Sequence, residues 1–407
     1  MPSQGYEPRL ARRAERMKAS EIRELLKLLD QPDIISFAGG IPDPALFPVD
    51  AARDAYGTAL ASPEAAAVAL QYSVSEGYLP LRQWIAAHMG RLGAPCDPDN
   101  ILITSGSQQA LDFLGKMLLS PGDTALVTAP TYLGALQAFS AYEPVYDHLR
   151  LEDGNDTPDS FRTRAAAAAP EGQVKFAYVV PDFANPTGLT LSRHARTRLL
   201  ALADELDVPV IEDGAYAALR YGGEEVPPLI ALDCAAKGGI DASRVIYCGT
   251  FSKTIAPGLR IGWIAAAKPL VRRLVLVKQA SDLAVSVINQ IVMADLVHRA
   301  YDAQVHKACS LYRRRRDAML EALAQFMPPG VTWTSPDGGL FVWVTLPEEM
   351  DGAALLARAV EEARVAFVPG GAFFADGRGA NTIRLSFSRA DEPTIAEGIR
   401  RIAKLLA

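Results

Sequence analysis

Short apolar runs alternate with helical patterns over most of this chain, and that alternation predicts an α/β fold: a large domain with a mainly parallel sheet flanked by helices, plus a smaller α+β domain. Two further observations support the division. At 407 residues the chain is too long for one compact core and short for three. From about residue 266 to 326 the alternation gives way to one long helical stretch, after which strands return.

Taken in order, residues 15–30 (ERMKASEIRELLKLLD) place Ile22, Leu25, Leu26 and Leu29 at helical spacing. In the segment 36–48, SFAGGIPDPALFP, Gly and Pro forbid a regular element, so an ordered loop is expected. The runs ILIT (101–104), ALVT (125–128), VKFAYVV (174–180), VPVIE (208–212) and RVIYCG (244–249) are strand candidates rich in β-branched residues. Helical patterns such as SQQALDFLGKMLL and SRHARTRLLALADELD lie between them, and RAAAAAP at 164–170 reads as a further helix. GLFVWVTL (339–346), VAFVP (365–369) and TIRLSF (382–387) supply strands to the second domain. The expected partition is an N-terminal segment 1–48 belonging to the small domain, a large domain 49–285, and a small C-terminal domain 286–407.

Composition excludes several function classes. A formal net charge of -6 argues against electrostatic capture of nucleic acid, which needs clustered Lys and Arg. The densest basic patch, RRRR at 313–316, lies in a helical stretch and reads as a solvated helix face. Cys96, Cys234, Cys248 and Cys309 show no CxxC or metal-ligand spacing, so free thiols in a reducing compartment are expected. The five His are dispersed, and no metal site is expected. The polar, basic N-terminus has no apolar core of a signal peptide, and no apolar run approaches the length of a membrane span. A cytoplasmic protein is the expectation.

The most specific cluster is GTFSKTIAPGLRIG at 249–262, between a strand and the start of another. Lys253 sits just past a buried strand, where its amine can be desolvated and held against a carbonyl. Schiff-base chemistry needs this, because a free lysine with a pKa of about 10.4 is a poor nucleophile at neutral pH. Seven residues on, Arg260 offers a bidentate fork to a phosphate, and Thr250 and Ser252 add hydroxyls. In PDFANPTG, Asn185 precedes Pro186, so its backbone is biased to extended conformations and its amide is free to donate to a phenolate oxygen. In VPVIEDGAY, Asp213 ends an apolar strand, where ligands of open α/β sheets gather. A carboxylate there can pair with a protonated pyridine nitrogen, and Tyr216 follows within reach of a ring oxygen. In ITSGSQQA the N–H groups of Ser107 and Gln108 open a helix and form a natural phosphate site. Arg384 lies within the otherwise apolar strand TIRLSF, and a buried arginine needs a partner such as a ligand carboxylate. Taken singly, each feature also fits a plain structural role: a loop lysine, an Asn-Pro turn, a helix cap, a solvent-facing strand arginine.

Together and in this order, the clusters resemble the fold-type I, class I/II aminotransferases, which use pyridoxal 5′-phosphate. The likeness runs through SFAGGIPDPALFP, ALQYSVSEGYLPLR, TSGSQQALD, APTYLGA, DFANPTG, EDGAY, GTFSKTIAPGLRIGW, PDGGLFVW, FVPGGAFF and NTIRLSF. It is closest to the 2-aminoadipate and kynurenine aminotransferase branch. The resemblance implies that Lys253 carries the cofactor and acts as general base, and that Asp213 holds the pyridinium proton. Asn185 and Tyr216 would bond the ring hydroxyl oxygen, and Tyr132 would stack on the ring. Ser107, Gln108, Ser252 and Arg260 would hold the phosphate, and Tyr72 would reach it from the neighbouring subunit of a homodimer. Arg384 would hold the substrate α-carboxylate, with Gly40 and Asn185 also at the substrate. Thr250 replaces the more usual serine and keeps the hydroxyl.

The implied reaction is transfer of an amino group between an amino acid and a 2-oxo acid, with glutamate and 2-oxoglutarate as the shuttle pair. SEIRELLK resembles the mobile helix that covers the substrate side chain in the aminoadipate branch. There Ser20 and Arg23 would approach a side-chain carboxylate, and a displaced Arg23 would admit aromatic or branched substrates. A solvent-facing position for both residues is the competing reading. Two other functions share the motifs. β-Elimination or decarboxylation would use the same cofactor. A transcriptional regulator with an aminotransferase-like domain would carry a winged helix ahead of it, for which the 15–20 residues before the first helix are too few.

Overall fold

The β-branched and aliphatic runs pair into three sheets. The computed structural model, which describes residues 9–17, 33–152, 154 and 157–406, contains β1 (Ile35–Ser36), β2 (Ile101–Thr104), β3 (Thr124–Thr128), β4 (Val145–Leu149), β5 (Val174–Val179), β6 (Val210–Asp213), β7 (Val245–Thr250), β8 (Gly262–Ala265), β9 (Thr332–Trp333), β10 (Phe341–Thr345), β11 (Val365–Ala366), β12 (Val368–Pro369) and β13 (Thr382–Ser386). Ser20 and Arg23 lie outside the described residues.

The large sheet has the order β2-β8-β7-β6-β5-β3-β4. From β7 to β4 every pairing is parallel. β8 runs antiparallel to both of its neighbours. Strands β2, β6, β7 and β8 are buried along their whole length, which is why they read as unbroken apolar runs and not as alternating ones. β4 (VYDHL) was not expected. It is the edge strand, half-exposed over most of its length, so its sequence carries the polar residues that a strand covered on both faces would exclude.

One face of the sheet, with Phe176, Tyr178, Ile211, Ile246 and Cys248, shares a core with the small sheet and the helix Glu392–Leu406. The other face, with Ala177, Val179, Val210, Val245 and Tyr247, packs on the helices Leu79–Arg91 and Arg193–Leu206. The helix Val287–Phe326 joins the two. Val292, Met293, Leu296 and Val297 from its first half belong to the second core, and Ala308, Tyr312, Met319 and Leu323 from its second half to the first. At 40 residues it spans about 60 Å.

The small antiparallel sheet has the order β12-β13-β10-β9. Before it in sequence, β1 pairs in parallel with β11 and ties the N-terminal loop to the C-terminal part of the chain. That loop is fastened to the long helix by charge. Arg315 donates to Asp43 at 2.6 Å and to the carbonyl of Ser388, and Asp43 N–H donates to the hydroxyl of Tyr312 at 3.1 Å. Reading RRRR as a wholly solvated face is therefore corrected. Arg315 is buried and ion-paired, because one position in four of a helix turn faces the core whatever its neighbours do. Arg314 is exposed beside Glu392.

Removing one partner of a buried pair strands the other charge. Arg315→Ala is expected to destabilise the protein by about 3 kcal/mol, and Arg314→Ala by less than about 1 kcal/mol. Chemical denaturation of the two variants checks this; equal effects would show that the Arg315–Asp43 pair does not fasten the loop.

Candidate active site

Gly40, Ser107, Gln108, Tyr132, Asn185, Asp213, Tyr216, Ser252, Lys253, Arg260 and Arg384 line a single cavity of about 280 Å³. It lies where the C-terminal ends of the parallel strands meet the small sheet, the position at which open α/β sheets bind ligands. Of the expected site residues described, Tyr72 alone stands apart, on the surface and 84% exposed.

Strand register assembles one end of the cavity. Thr104 on β2, Gly262 on β8 and Thr250 on β7 fall in one row. The chain leaving β2 enters the helix Ser107–Leu118, the chain leaving β7 carries Ser252 and Lys253, and the chain entering β8 carries Arg260. The helix begins after Gly106 (φ 77) without any side-chain cap, so the N–H groups of Ser107 and Gln108, which line the cavity, have no partner among the described residues. Arg260, itself left-handed at φ 56, lies across this terminus and donates to the carbonyl of Ser105 at 3.1 Å. A Cβ on Gly106 would stand 2.5 Å from the Arg260 guanidinium, and one on Gly262 would stand 2.6 Å from the Gly106 carbonyl carbon. Only glycine permits this approach. Thr250 donates from its hydroxyl to Ser252 at 2.9 Å.

At the centre, Lys253 Nζ donates to the carbonyl of Gly40 at 2.9 Å. Burial, with the positive charges of Arg384 and Arg260, brings its amine down to about 8 against the partial opposition of Asp213. Asp213 ends β6, buried, and accepts from the Tyr178 hydroxyl at 3.0 Å and from Ala215 N–H at 3.2 Å. Burial raises its carboxyl to about 6, although both hydrogen bonds pull the other way. Burial also pushes the Tyr132 phenol up to about 12 and the Tyr216 phenol further still. Tyr132 folds back over Gly134, where a Cβ would meet its hydroxyl at 2.5 Å, and Gln108 donates to the Gly134 carbonyl at 2.6 Å.

On the far side, Arg384 of β13 is buried between the rings of Phe341 and Phe373, 4.3 and 5.0 Å from their centroids. It donates to Asn185 Oδ1 at 2.8 Å and to the carbonyl of Ala38 at 2.6 Å. Its Nε has no partner among the described residues. Asn185, whose bond to Pro186 is cis, lies beside the Tyr216 phenol, where its side chain partly offsets the rise that burial causes. A solvent-facing position for Arg384 is thereby excluded.

The cavity thus has a donor-rich anion cradle at one end, a carboxylate at a strand end, a depressed lysine between, and a buried arginine that pairs with no carboxylate among the described residues. That donor set fits pyridoxal phosphate: an anionic phosphate, a basic ring nitrogen and an aldehyde each find the group that complements it. Not picked out from the sequence were Phe341, which lines the cavity against Arg384, and Tyr178, which reaches Asp213 from behind it. Among the described residues no cluster of His, Cys, Asp and Glu can hold a metal, and no helix is long and apolar enough to cross a membrane.

Residues 33–402 match the family of class I and II aminotransferases. The chain is 45% identical to aromatic-amino-acid aminotransferase 1 of Thermococcus litoralis, over 100% of this chain and 95% of that one. It superimposes on the α-aminoadipate aminotransferase of Thermus thermophilus, solved with N-(5′-phosphopyridoxyl)-L-leucine, with a TM-score of 0.87 and 39% identity, over 99% of this chain and 98% of that one. The kynurenine aminotransferase of Pyrococcus horikoshii, solved with pyridoxamine phosphate, gives a TM-score of 0.88 and 43% identity, over 98% and 97% of the two chains. With the family match spanning nearly the whole chain and the cavity supplying each group the cofactor needs, the chain belongs to the class I and II aminotransferases and is a pyridoxal-phosphate-dependent aminotransferase.

Proposed function

We propose that this enzyme exchanges amino groups between L-amino acids and 2-oxo acids with glutamate and 2-oxoglutarate as one pair, and 2-aminoadipate, aromatic or branched amino acids as partners. When bound, pyridoxal phosphate supplies the electron sink that lets an amino acid give up its α-proton. The observation that carries the reading is the meeting in one cavity of Lys253, its amine depressed by burial, with the buried Asp213 and Arg384. Lys253 would hold the cofactor, and its amine, lowered to about 8, would act as the general base for the substrate α-proton. Asp213 would pair with the ring nitrogen, Asn185 and Tyr216 would bond the ring hydroxyl oxygen, and Tyr132 would stack on the ring. Ser107, Gln108, Ser252 and Arg260 bind the phosphate. Arg384 takes the substrate α-carboxylate beside Gly40 and Asn185, in place of its present hydrogen bonds.

Ser20 and Arg23 are proposed to meet a side-chain carboxylate, as befits a relative of an α-aminoadipate aminotransferase. Aromatic substrates are supported by the Thermococcus and Pyrococcus relatives. A homodimer is proposed on the apolar surface around Tyr72, where Val68, Leu70, Val74 and Leu283 are all exposed. Tyr72 would reach the partner's phosphate cradle. The domain partition at 48/49 and 285/286 belongs to the same reading, supported by the β1–β11 pairing. The four unpaired cysteines support a cytoplasmic setting.

The test is the absorbance of the cofactor-loaded protein as amino acids are added. A visible band that gives way to near-ultraviolet absorption with release of the matching 2-oxo acid is expected. A band that persists would turn the assignment toward a lyase or decarboxylase. Lys253→Ala should lose both the band and nearly all turnover; wild-type turnover in this variant would overturn the role of Lys253. In the cofactor-free protein, acylation of Lys253 should rise with pH to a midpoint of about 8, because the neutral amine is the nucleophile. Ordinary lysines should follow only near about 10.4, and a midpoint there for Lys253 would refute its activation by burial. Finally, Arg23→Ala should raise KM for glutamate more than for leucine, and an equal rise would remove the case for a dicarboxylate site.

A further inference from the structure

We propose that Tyr178 is a positioning residue that acts through Asp213, its hydroxyl hydrogen bond keeping the shared proton on the cofactor's ring nitrogen instead of on the carboxylate. This rests on the reading that Asp213 faces that nitrogen.

The placement follows from the sheet. On the parallel pair β5–β6, Tyr178 lies opposite Ile211, so the residue two further along β6, Asp213, is its diagonal neighbour on the same face. The hydroxyl stands 3.0 Å from Asp213 Oδ2, while Ala215 N–H holds Oδ1 at 3.2 Å. Both carboxylate oxygens are therefore fixed, and each keeps a lone pair for another donor. The tyrosine ring is fully buried and meets Phe139 edge-on at 5.7 Å, and Phe139 packs on Phe176 at 5.0 Å. The hydroxyl has no other partner among the hydrogen bonds described for it, so the fixed ring commits it to Asp213.

The titratable groups facing Asp213 are Tyr178 from β5, Cys248 from β7, Lys253 from the turn beyond β7, and the phenols Tyr132 and Tyr216. Burial pushes Tyr178 and Cys248 far up, Tyr132 to about 12 and Tyr216 higher, so all four are neutral at working pH and Tyr178 is always a donor. A donor on a carboxylate makes it a weaker base. Without the hydroxyl, Asp213 in the same buried place would compete harder for the ring proton, and a neutral ring is a poorer electron sink.

Tyr178→Phe keeps the ring and its packing and removes one oxygen. In the loaded enzyme, the pH midpoint at which the visible band changes form is expected to rise by about one unit. The value of kcat should fall about tenfold, the worth of a hydrogen bond to a charged group, with KM little changed. In an Asp213→Asn background the same substitution should have no further effect on either quantity, because the two residues act as one unit. A Tyr178→Phe enzyme with the wild-type midpoint and kcat would leave Tyr178 a core residue only and overturn the proposal. Equal losses with and without Asp213 would also overturn it, by showing that Tyr178 acts elsewhere. If Asp213→Asn itself leaves both the band and kcat unchanged, it is the underlying assignment of Asp213 that fails.

Discussion

Holding charged groups away from water is the constraint on which the rest of this molecule turns. Lys253, Asp213 and Arg384 share one cavity, and in each the same burial disfavours the charged form: it lowers the lysine and the arginine and raises the carboxyl. The balance of signs is uneven. Among the described residues that line the cavity, Lys253, Arg260 and Arg384 face a single anion, Asp213, in a protein whose formal charge is -6. A local excess of positive charge inside an acidic protein is a demand for anions, which the proposed binding of a cofactor phosphate and a substrate carboxylate at opposite ends would meet.

The scaffold serves that constraint by fixing backbone carbonyls near the cations. Within the loop that opens the chain, Ala38 accepts from Arg384 and Gly40 from Lys253. A few residues on, Asp43 is clamped by Arg315 from the long helix. The loop therefore spans both functional cations and a structural one. Its Gly and Pro content is what allows carbonyls to turn inward where a strand or helix would have spent them on its own hydrogen bonds.

Much of this was legible in the chain because burial leaves a mark on composition. The strands that carry Asp213 and lead to Lys253 are covered on both faces, so they read as unbroken apolar runs ending in a polar residue, and the site sits at those endings. β4 escaped notice since half of it meets water and its sequence mixes polar with apolar. Arg315 was misread because Arg313 and Arg314 before it face solvent, and a run of like residues conceals which ones point inward. Tyr178 was hidden for a different reason. Its partner is on another strand, and only the register between β5 and β6 brings a core tyrosine to Asp213. Contacts that depend on register have no local signature. Ser20 and Arg23 lie outside the described residues, so the side-chain end of the substrate site rests on sequence alone.

The antiparallel strand β8 has a consequence for the anion cradle. It alone links the strand before Ser107 to the strand before Lys253, and these lie far apart along the chain. With β8 between them, the helix terminus at Ser107 and the Arg260 guanidinium are held in one fixed relation, so a group gripped by both depends on a strand that belongs to neither of the flanking segments.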